Sequence, residues 1–477
     1  MFDDATAAAE AALAAGAHYA DARVVVSRHQ GLEALNGVIE ALDQGESAGV
    51  GVRALIGSSW GFFATADPAF ARQAGEQAAA IARASASVPG PAMPLADVPV
   101  AEDDFETPHD EDPLAVSLAE RGDLVVGVTE AMRAVPGVAL ARAFLSAWDT
   151  EKWFVSSQGH RLHQHLVETG GGMDATAVGE SETQRRSYPQ AFGQFETGGY
   201  EVVRRWDLPG HADQVASEAV AILTADECPS GTTDLILESS QLALQIHESV
   251  GHAIELDRIL GWEAAFAGTS FLELERLGSL QYGSPLMNIT ADATLPRALG
   301  SFGYDDEGTP AQRVDIVREG VWVGVLSGRD SAALAGLPPG GMVRGDGYNR
   351  IPMVRMTNVG LLPGDSSLEE IIAATDDGVL MATNRSWSID DKRLNFQFGC
   401  EVGWEIRNGK RGRMLRNPTY TGITPQFWAG LDMLAGGDEW QPWGVPNCGK
   451  GQPMQSAHTG HPAAPARFRG VRVGVRG

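Results

Sequence analysis

The chain has 477 residues, 43% of them hydrophobic, which is enough to bury the cores of two or three domains. Its 36 basic and 62 acidic residues give a net charge of -26, which repels nucleic acid and anionic membranes, so neither is expected as a direct partner. Three widely spaced cysteines, an odd number, argue against a disulfide framework and indicate reduced thiols.

The amino terminus predicts an amphipathic helix rather than a signal peptide. Acidic residues stand where a signal peptide carries basic ones, and Glu10 and Gly16 interrupt the alanine run. No window reaches the roughly 18 uncharged apolar residues that a membrane span needs. We therefore expect a soluble, cytoplasmic protein with no membrane partner.

Strands and helices alternate through the first half of the chain. Short β-branched runs between Gly, Asn, Asp and Ser predict consecutive antiparallel strands over residues 21–67, and residues 68–86 predict a helix that buries its alanines. The acidic segment 101–112 has almost nothing to bury and predicts a linker or exposed loop. Three further elements are expected: a helix over 113–134, a strand-rich region over 137–201 and a helix through 215–223.

A second unit is expected to begin near Cys228. TDLILES predicts a buried strand, and Ser239 or Ser240 is suitably placed to cap the helix that continues through QLALQIHESVGHAIEL. The remainder is glycine-rich with short strands, and Asn408-Gly409 predicts the tight turn of a hairpin.

The predicted fold class is α+β. An N-terminal α+β domain with an antiparallel sheet is expected over residues 1–227, with room for a sub-boundary in the acidic linker 101–112. A β-rich C-terminal domain that carries the helix with residues 247–252 is expected over residues 228–477.

HESVGH, residues 247–252, places a glutamate between two histidines that are five residues apart. Zinc peptidases with a metal site on one helix use a gap of four. On a regular helix each residue turns about 100°, so side chains five apart point about 140° away from each other. His247 and His252 can therefore share a metal only if the helix contains a π-bulge or loosens at Gly251. The alternative is two unrelated histidines with Glu248 in solvent.

The surroundings of the motif favour a metal site. It follows a strand and lies in an apolar helix, where two imidazoles and a carboxylate are costly to bury without a ligand. Glu255 and Asp257 follow directly and could orient the imidazoles, although salt bridging with Arg258 explains them equally well.

Zinc requires a third protein ligand and leaves a fourth position for water. Cys448 in VPNCGKGQP is a candidate, because the charge of Lys450 would lower the pKa of its thiol. Cys400 lies in a predicted strand of alternating polar and apolar residues and is better explained as a small core residue. Nothing in the sequence around Cys228 indicates a metal ligand.

Two other clusters could bind a cation. His160, His163 and His165 lie close in sequence, and the last two would share one face of a strand, although an exposed polar face is the simpler interpretation. The acidic segment 305–307 could bind a cation, but a structural turn is favoured.

Taken together, the motifs resemble those of the TldD/PmbA family, on its TldD or metallopeptidase side. The family's HExxxH block running into HxxExD stands here as HESVGHAIELD, residues 247–257. The resemblance continues through GVGVRALIGSSWGFFAT in the first half, and through GYDDEGTPAQRVDIVREGVWVGVLSGRDSA, VRMTNVGLLPG, FQFGCEVGWEIRNGK and NCGKGQP in the second. It covers nearly the whole chain.

The resemblance implies a cytoplasmic zinc metallopeptidase. His247, His252 and Cys448 would hold one Zn²⁺ per catalytic subunit, and Glu248 would be the catalytic carboxylate activating a zinc-bound water. It also implies a dimer, with a second copy or with a PmbA/TldE-like paralogue, whose cavity receives unfolded or short peptides. The alternative is a non-catalytic subunit that binds peptides or a partner, against which the intact Glu248 argues.

The chain departs from the family pattern at two places. Leu256 stands where the family often has a glycine, and the tail after Cys448 contains His458 and His461, to which the resemblance assigns no role.

Overall fold

A computed structural model describes residues 1–88, 90–266 and 268–474. The helices and strands of its N-terminal part are α1 (Phe2–Ala14), β1 (Tyr19–Leu35), β2 (Val38–Ile56), β3 (Ser59–Thr65), α2 (Ala71–Ser85), β4 (Glu102–Glu106), α3 (Leu118–Arg133), β5 (Val138–Ser156), β6 (Arg161–Val178), β7 (Thr183–Tyr188), β8 (Gln194–Thr197), α4 (Glu201–Trp206) and α5 (Leu208–Thr224).

The N-terminal part is one sheet with helices packed against it. The strand order is β3-β2-β1-β5-β6-β4, and β7 and β8 also pair with β6. The alanines of α1 and α2 pack on β1 and β2, whereas α3 and α5 pack on β5 and β6. Asn36 and Gly37, with φ of 53° and 86°, form the tight turn between β1 and β2. The strands predicted over 21–67 and the alanine-rich helix are confirmed.

The acidic segment 101–112 differs from the prediction. Residues 102–106 form the edge strand β4, which runs parallel to β6 in register from Glu102 opposite Arg161 to Glu106 opposite His165. The strand is exposed and buries little, so its backbone pairing with β6 supplies the order that its side chains do not. The prediction of exposure was right, and that of a linker or loop was wrong for residues 102–106.

The C-terminal part is mostly sheet, as predicted. Its helices and strands are β9 (Asp226–Glu227), β10 (Gly231–Leu237), α6 (Ser239–Ile246), a π-helix (His247–Gly251), α7 (Leu256–Ile259), β11 (Ile289–Asp292), β12 (Arg313–Arg318), β13 (Val321–Trp322), α8 (Arg329–Ala335), β14 (Val343–Arg344), β15 (Met353–Val354), β16 (Val359–Leu361), α9 (Leu368–Ala373), β17 (Asp377–Ile389), β18 (Asn395–Arg407), β19 (Lys410–Arg416), β20 (Thr419–Ile423), α10 (Thr424–Ala429), β21 (Leu431–Leu434), β22 (Gln441–Lys450), β23 (Gln455–Ala463) and β24 (Ala466–Val473).

The main C-terminal sheet surrounds the apolar helix α6. Its pairings run β17-β10-β24-β20-β18 and return from β18 to β17, which closes a cycle. The predicted hairpin turn at Asn408-Gly409 is confirmed between β18 and β19, with φ of 50° and 69°. A smaller sheet, β13-β12-β11-β16, and the hairpin of β22 and β23 complete the surroundings of α6. The α+β class is therefore confirmed.

The helix α6 begins one residue earlier than its predicted caps allow. Its N-cap is Glu238, which makes no side-chain cap, and Ser239 is already helical. The hydroxyl of Ser240 instead donates to the Glu238 carboxylate over 3.0 Å. The predicted serine cap was wrong because the strand β10 leads directly into the helix.

Segment 305–307 joins the two parts through buried ion pairs, as expected of a structural turn. Asp306 pairs with Arg23 at 2.7 Å and with Lys152 at 3.3 Å, and Glu307 pairs with Arg53 at 2.9 Å. Since the arginines and Lys152 belong to β1, β2 and β5, the turn connects the C-terminal part to the N-terminal sheet.

The division of the chain at residue 228 stays a prediction, and residues 89, 267 and 475–477 of the two proposed domains lie outside the described residues. None of the helices within the described ranges is long and apolar enough to cross a membrane.

Candidate metal centre

The helix that carries HESVGH widens into a π-helix over His247–Gly251. The backbone N–H of His252 donates to the carbonyl of His247 over 3.2 Å, a bond between residues five apart. The two imidazole rings lie 4.8 Å apart at 88° to each other. The predicted bulge is confirmed, and the wider turn brings His252 alongside His247.

Polar side chains from other elements hold the widened turn. The hydroxyl of Ser249 donates to the carbonyl of Gln245 over 2.6 Å, and Tyr282 donates to the carbonyl of Ser249 over 2.6 Å. The indole N–H of Trp428 donates to the Ser249 hydroxyl over 3.0 Å. The backbone groups that a π-turn displaces therefore have partners in the core.

Gly251 is needed for a different reason from the one predicted. Its backbone is helical, so the turn does not depend on the conformational freedom of glycine. A Cβ atom at this position would instead overlap Sδ of Met356 and lie 3.2 Å from its Cε. Close packing of Met356 on the helix therefore requires the glycine.

The structure brings together His247, His252 and Cys448. One possible ligand atom from each lies within 4.8 Å of the others, and all three residues are buried. Cys448 lies on β22, and its Sγ is 3.8 Å from Nε2 of His252. Cys400 is buried within β18 and Cys228 near β9, and neither belongs to this group.

The second half of the motif orients one histidine and binds one lysine. Nδ1 of His252 lies 3.0 Å from the Glu255 carboxylate, which leaves Nε2 facing the cysteine. The Asp257 carboxylate accepts two 2.8 Å hydrogen bonds from Nζ of Lys450, which also lies 3.2 Å from Glu255. Glu255 therefore acts as expected, whereas Asp257 binds Lys450 rather than an imidazole. Arg258 also lies 3.5 Å from Glu255, so the salt-bridge interpretation holds as well.

Lys450 does not have the role predicted for it beside the thiol. Burial raises the pKa of Cys448, but His252 and Arg355 outweigh burial and hold it below its ordinary value. Arg355, which donates to the backbone carbonyl of Cys448, is the cation that does this, since Lys450 faces Asp257. Burial lowers the pKa of His247 and of His252, which favours the neutral form that binds metals.

Glu248 lies beside the three candidate ligands and is paired. Nη1 of Arg393 donates to its Oε2 over 2.7 Å. Arg393 has a φ of 63° and lies in the loop between β17 and β18, so a strained turn places its guanidinium beside Glu248. No local motif identified Arg393 or Arg355. Arg393 lies 145 residues from Glu248 in the sequence and Arg355 lies 93 residues from Cys448, so each reaches its partner only through the fold.

The two tail histidines lie in different surroundings. Nε2 of His461 is 2.7 Å from Nδ1 of His247, directly behind the candidate ligand. His458, on the same strand, instead pairs with Glu168 at 2.7 Å and packs against Trp148. The sequence offered only the presence of the two histidines, whereas their partners, His247 and Val359 for His461 and Glu168 for His458, come from distant segments.

The rival histidine cluster does not form a metal site within the described residues. His163 lies between two carboxylates, 2.8 Å from Asp104 and 2.5 Å from Glu151, and His165 lies 3.4 Å from Asp149. His160 is buried and bonds to a serine hydroxyl. The two strand histidines therefore share a face as predicted, but each faces acidic neighbours, and only His163 makes hydrogen bonds to them.

The residues of the centre fit a zinc ion. Two imidazoles and a thiolate are a known ligand set of catalytic zinc, which keeps one further position open. A carboxylate behind His252 is the usual support for such a ligand. Burying two imidazoles and a thiol this close together would be costly if they had no cation to bind.

Comparison with known proteins agrees with this geometry. Residues 230–473 match the PmbA/TldA metallopeptidase C-terminal domain, and residues 20–86 match PmbA/TldA metallopeptidase domain 1. A metalloprotease from Methanothermobacter thermautotrophicus is 28% identical over 456 residues, covering 96% of this chain and 95% of that protein. A zinc metalloprotease TldD homolog from Saccharolobus solfataricus is 26% identical over 207 residues, covering 43% of this chain and 44% of that protein.

The fold has a solved counterpart as well. The crystal structure of TldE from Thermococcus kodakarensis superposes with a TM-score of 0.72 and 16% identity over 98% of each chain, which shows a shared fold. The C-terminal domain match alone covers more than half of the sequence. The chain therefore belongs to the TldD/PmbA family of metallopeptidases.

Proposed function

We propose that this protein is a zinc-dependent peptidase in which His247, His252 and Cys448 hold the metal and Glu248 is the catalytic carboxylate. The convergence of the three buried ligand atoms within 4.8 Å of one another carries the proposal, and Glu248 follows the first ligand in the same π-helix. The name of the Saccharolobus solfataricus relative supports zinc as the metal.

Zinc bound by these residues would supply a water of near-neutral pKa and polarise the scissile carbonyl. Glu248, which adjoins the first ligand in sequence, takes the proton from the attacking water and passes it to the leaving amine. Arg393 holds the Glu248 carboxylate in place through the 2.7 Å ion pair. Glu255 holds the ring of His252 through its Nδ1.

The substrates that we propose are unfolded or short peptides. An extended chain can add to a sheet edge through backbone hydrogen bonds without regard to its side chains, and the chain is rich in short strands near the centre. We also propose a dimer, with a second copy or with a TldE-like paralogue, that encloses the cleavage site. The fold shared with TldE supports a common architecture for the two kinds of subunit.

Metal analysis of the purified protein together with peptide digestion, with and without chelator, tests this function. We expect about one zinc per chain and cleavage that chelator stops. Glu248→Gln should abolish cleavage and leave the zinc content unchanged, because the carboxylate is not a ligand in this assignment.

Four results would count against parts of the proposal. Loss of zinc in Glu248→Gln would make Glu248 a ligand, and undiminished turnover would remove it from catalysis. Wild-type protein that binds zinc but cleaves no peptide, alone or mixed with a TldE-like partner, would favour the non-catalytic binding subunit. Cleavage of non-peptide amides alone would favour another zinc hydrolase.

A further inference from the structure

His461 lies behind the metal centre and is not one of its three candidate ligands. It belongs to β23, its side chain is buried, and its Nε2 is 2.7 Å from Nδ1 of His247. Its other nitrogen, Nδ1, is 3.0 Å from the backbone carbonyl of Val359 on β16. The imidazole therefore bridges a backbone acceptor and the first histidine of HESVGH.

These contacts determine where the protons lie. The carbonyl of Val359 can only accept a hydrogen bond, so Nδ1 of His461 carries its proton. A neutral imidazole has one N–H, which makes Nε2 of His461 an acceptor. The short contact with His247 then requires His247 to donate from Nδ1, and its Nε2 is left with a free lone pair.

Among the described residues, Thr459 is the only other hydrogen-bonding partner of Nε2 of His461. Its hydroxyl lies 3.2 Å from Nε2 of His461, which is longer than the contact with His247. The hydroxyl also lies 3.4 Å from the carbonyl of Val445, to which it can donate instead. The acceptor on His461 is therefore available to His247.

We infer that His461 is a positioning residue that fixes the tautomer and the ring orientation of His247, so that Nε2 of His247 faces the metal. This inference rests on the proposed zinc site. Each histidine of the motif then has its own support, a carboxylate from Glu255 for His252 and a neutral imidazole from His461 for His247. The neutral support adds no negative charge to a buried site that already contains Cys448 and Glu248.

Zinc affinity of three purified variants tests the inference, measured by competition with a chromophoric chelator. His461→Leu removes the acceptor and should weaken zinc binding about 10- to 100-fold, the usual effect of losing such a support. His461→Gln places an amide oxygen near the position of Nε2 and should stay close to the wild-type affinity. His458→Gln, on the same strand but paired with Glu168, is the matched control and should bind zinc as the wild type does.

The spectrum of the Co²⁺-substituted protein gives a second measurement. If His461 only positions His247, the ligand-field bands of His461→Gln should match those of the wild type. Thermal unfolding of metal-free His461→Leu shows whether the variant folds normally. Weakened zinc binding in a variant that unfolds like the wild type supports the inference.

Two outcomes overturn the inference. Wild-type zinc affinity in His461→Leu would show that His247 needs no such support. Equal loss in His461→Leu and His461→Gln, with altered cobalt bands in both, would make His461 itself a ligand. A wild-type protein that binds no zinc would instead overturn the proposed function, so the two failures are distinguishable.

Discussion

Arg393 and Glu248 form a mostly buried ion pair, with Nη1 of the arginine 2.7 Å from Oε2 of the glutamate. The two residues are 145 positions apart and meet because the loop after β17 reaches the π-helix. Arg393 makes this contact to the catalytic candidate and not to any of the three candidate ligands.

Replacing Arg393 should therefore affect catalysis more than metal binding. In Arg393→Ala the Glu248 carboxylate loses the contact that orients it, and misplacement of a catalytic group by about 1 Å can cost about 100-fold in rate. We expect kcat to fall by about that factor while the zinc content stays at the wild-type level.

The matched control is Arg385→Ala, which removes an arginine of β17 that bonds to Gln184 and Asn417 away from the site. Its kcat should resemble that of the wild type. Zinc loss in Arg393→Ala, or equal loss of activity in both variants, would contradict the orienting role.

Gly251 and Met356 should be energetically coupled. Gly251→Ala forces a Cβ into the space of the Met356 thioether, and overpacking of this kind costs about 1 to 3 kcal/mol of unfolding free energy. Met356→Ala alone leaves a cavity and is also destabilising. The double variant should be more stable than the sum of the two effects, because alanine at 356 makes room for alanine at 251.

Urea unfolding of the four proteins in the cycle measures this coupling. Gly231→Ala, whose new Cβ meets nothing within 4 Å, is the control and should change stability little. If the changes in unfolding free energy of Gly251→Ala and Met356→Ala were strictly additive, the glycine would be required for a reason other than its contact with Met356.

The sequence predicted the distortion of the metal helix but not what enforces it. A spacing of five between His247 and His252 can be reconciled with a shared metal only by a π-bulge or by a turn loosened at Gly251, so helix geometry predicted a distortion, and the structure forms it as a π-helix. The groups that hold the turn, Tyr282 and Trp428, lie far along the chain in unremarkable segments. Hydrophobic periodicity carries no information about such long-range hydrogen bonds.

Contacts between distant segments also explain why the predicted effect of Lys450 on the Cys448 thiol was wrong. Its position two residues after Cys448 suggested an effect on the thiol, yet residues two apart on a strand share a face without their side chains meeting. The lysine reaches past the cysteine to the Glu255 and Asp257 carboxylates, and Arg355 approaches from the segment between β15 and β16. β4 was missed for a related reason, since pairing with a distant strand, not composition, orders it.

Cys448 and Cys400 should differ sharply in their effect on zinc. Cys448→Ser replaces a thiolate, whose pKa the surroundings lower, with a hydroxyl that stays protonated, so zinc content should fall several-fold. Cys400 is buried in β18, where burial raises the pKa of its thiol well above its ordinary value, and Cys400→Ser should keep its zinc. Metal analysis of both variants after dialysis decides the matter, and the reverse result would move the third ligand to Cys400.

In the metal-free protein, His252 should make the free energy of unfolding depend on pH. Burial lowers the pKa of His252 below 6.5, whereas the unfolded chain titrates near about 6.5. As the pH falls through this value the unfolded state gains a proton that the folded state does not, so the contribution of His252 is fully present above about 6.5 and is lost below it. His163 has the opposite sign: burial lowers its pKa, but hydrogen bonds to Glu151 and Asp104 outweigh burial and raise it.

Other groups titrate in the same window, among them Asp305, whose pKa burial raises to about 7, so the prediction concerns changes of slope and not the slope itself. Urea unfolding of chelator-treated protein between about pH 5.5 and about pH 7.5 gives the dependence of the unfolding free energy on pH. The slope of the unfolding free energy against pH should become less positive in His252→Gln, because the variant lacks a group that the unfolded state protonates more readily than the folded state. It should become more positive in His163→Gln, because a term that favours low pH is removed. Equal slopes in the two variants would mean that the imidazole of His252 is not kept neutral by its burial beside Cys448.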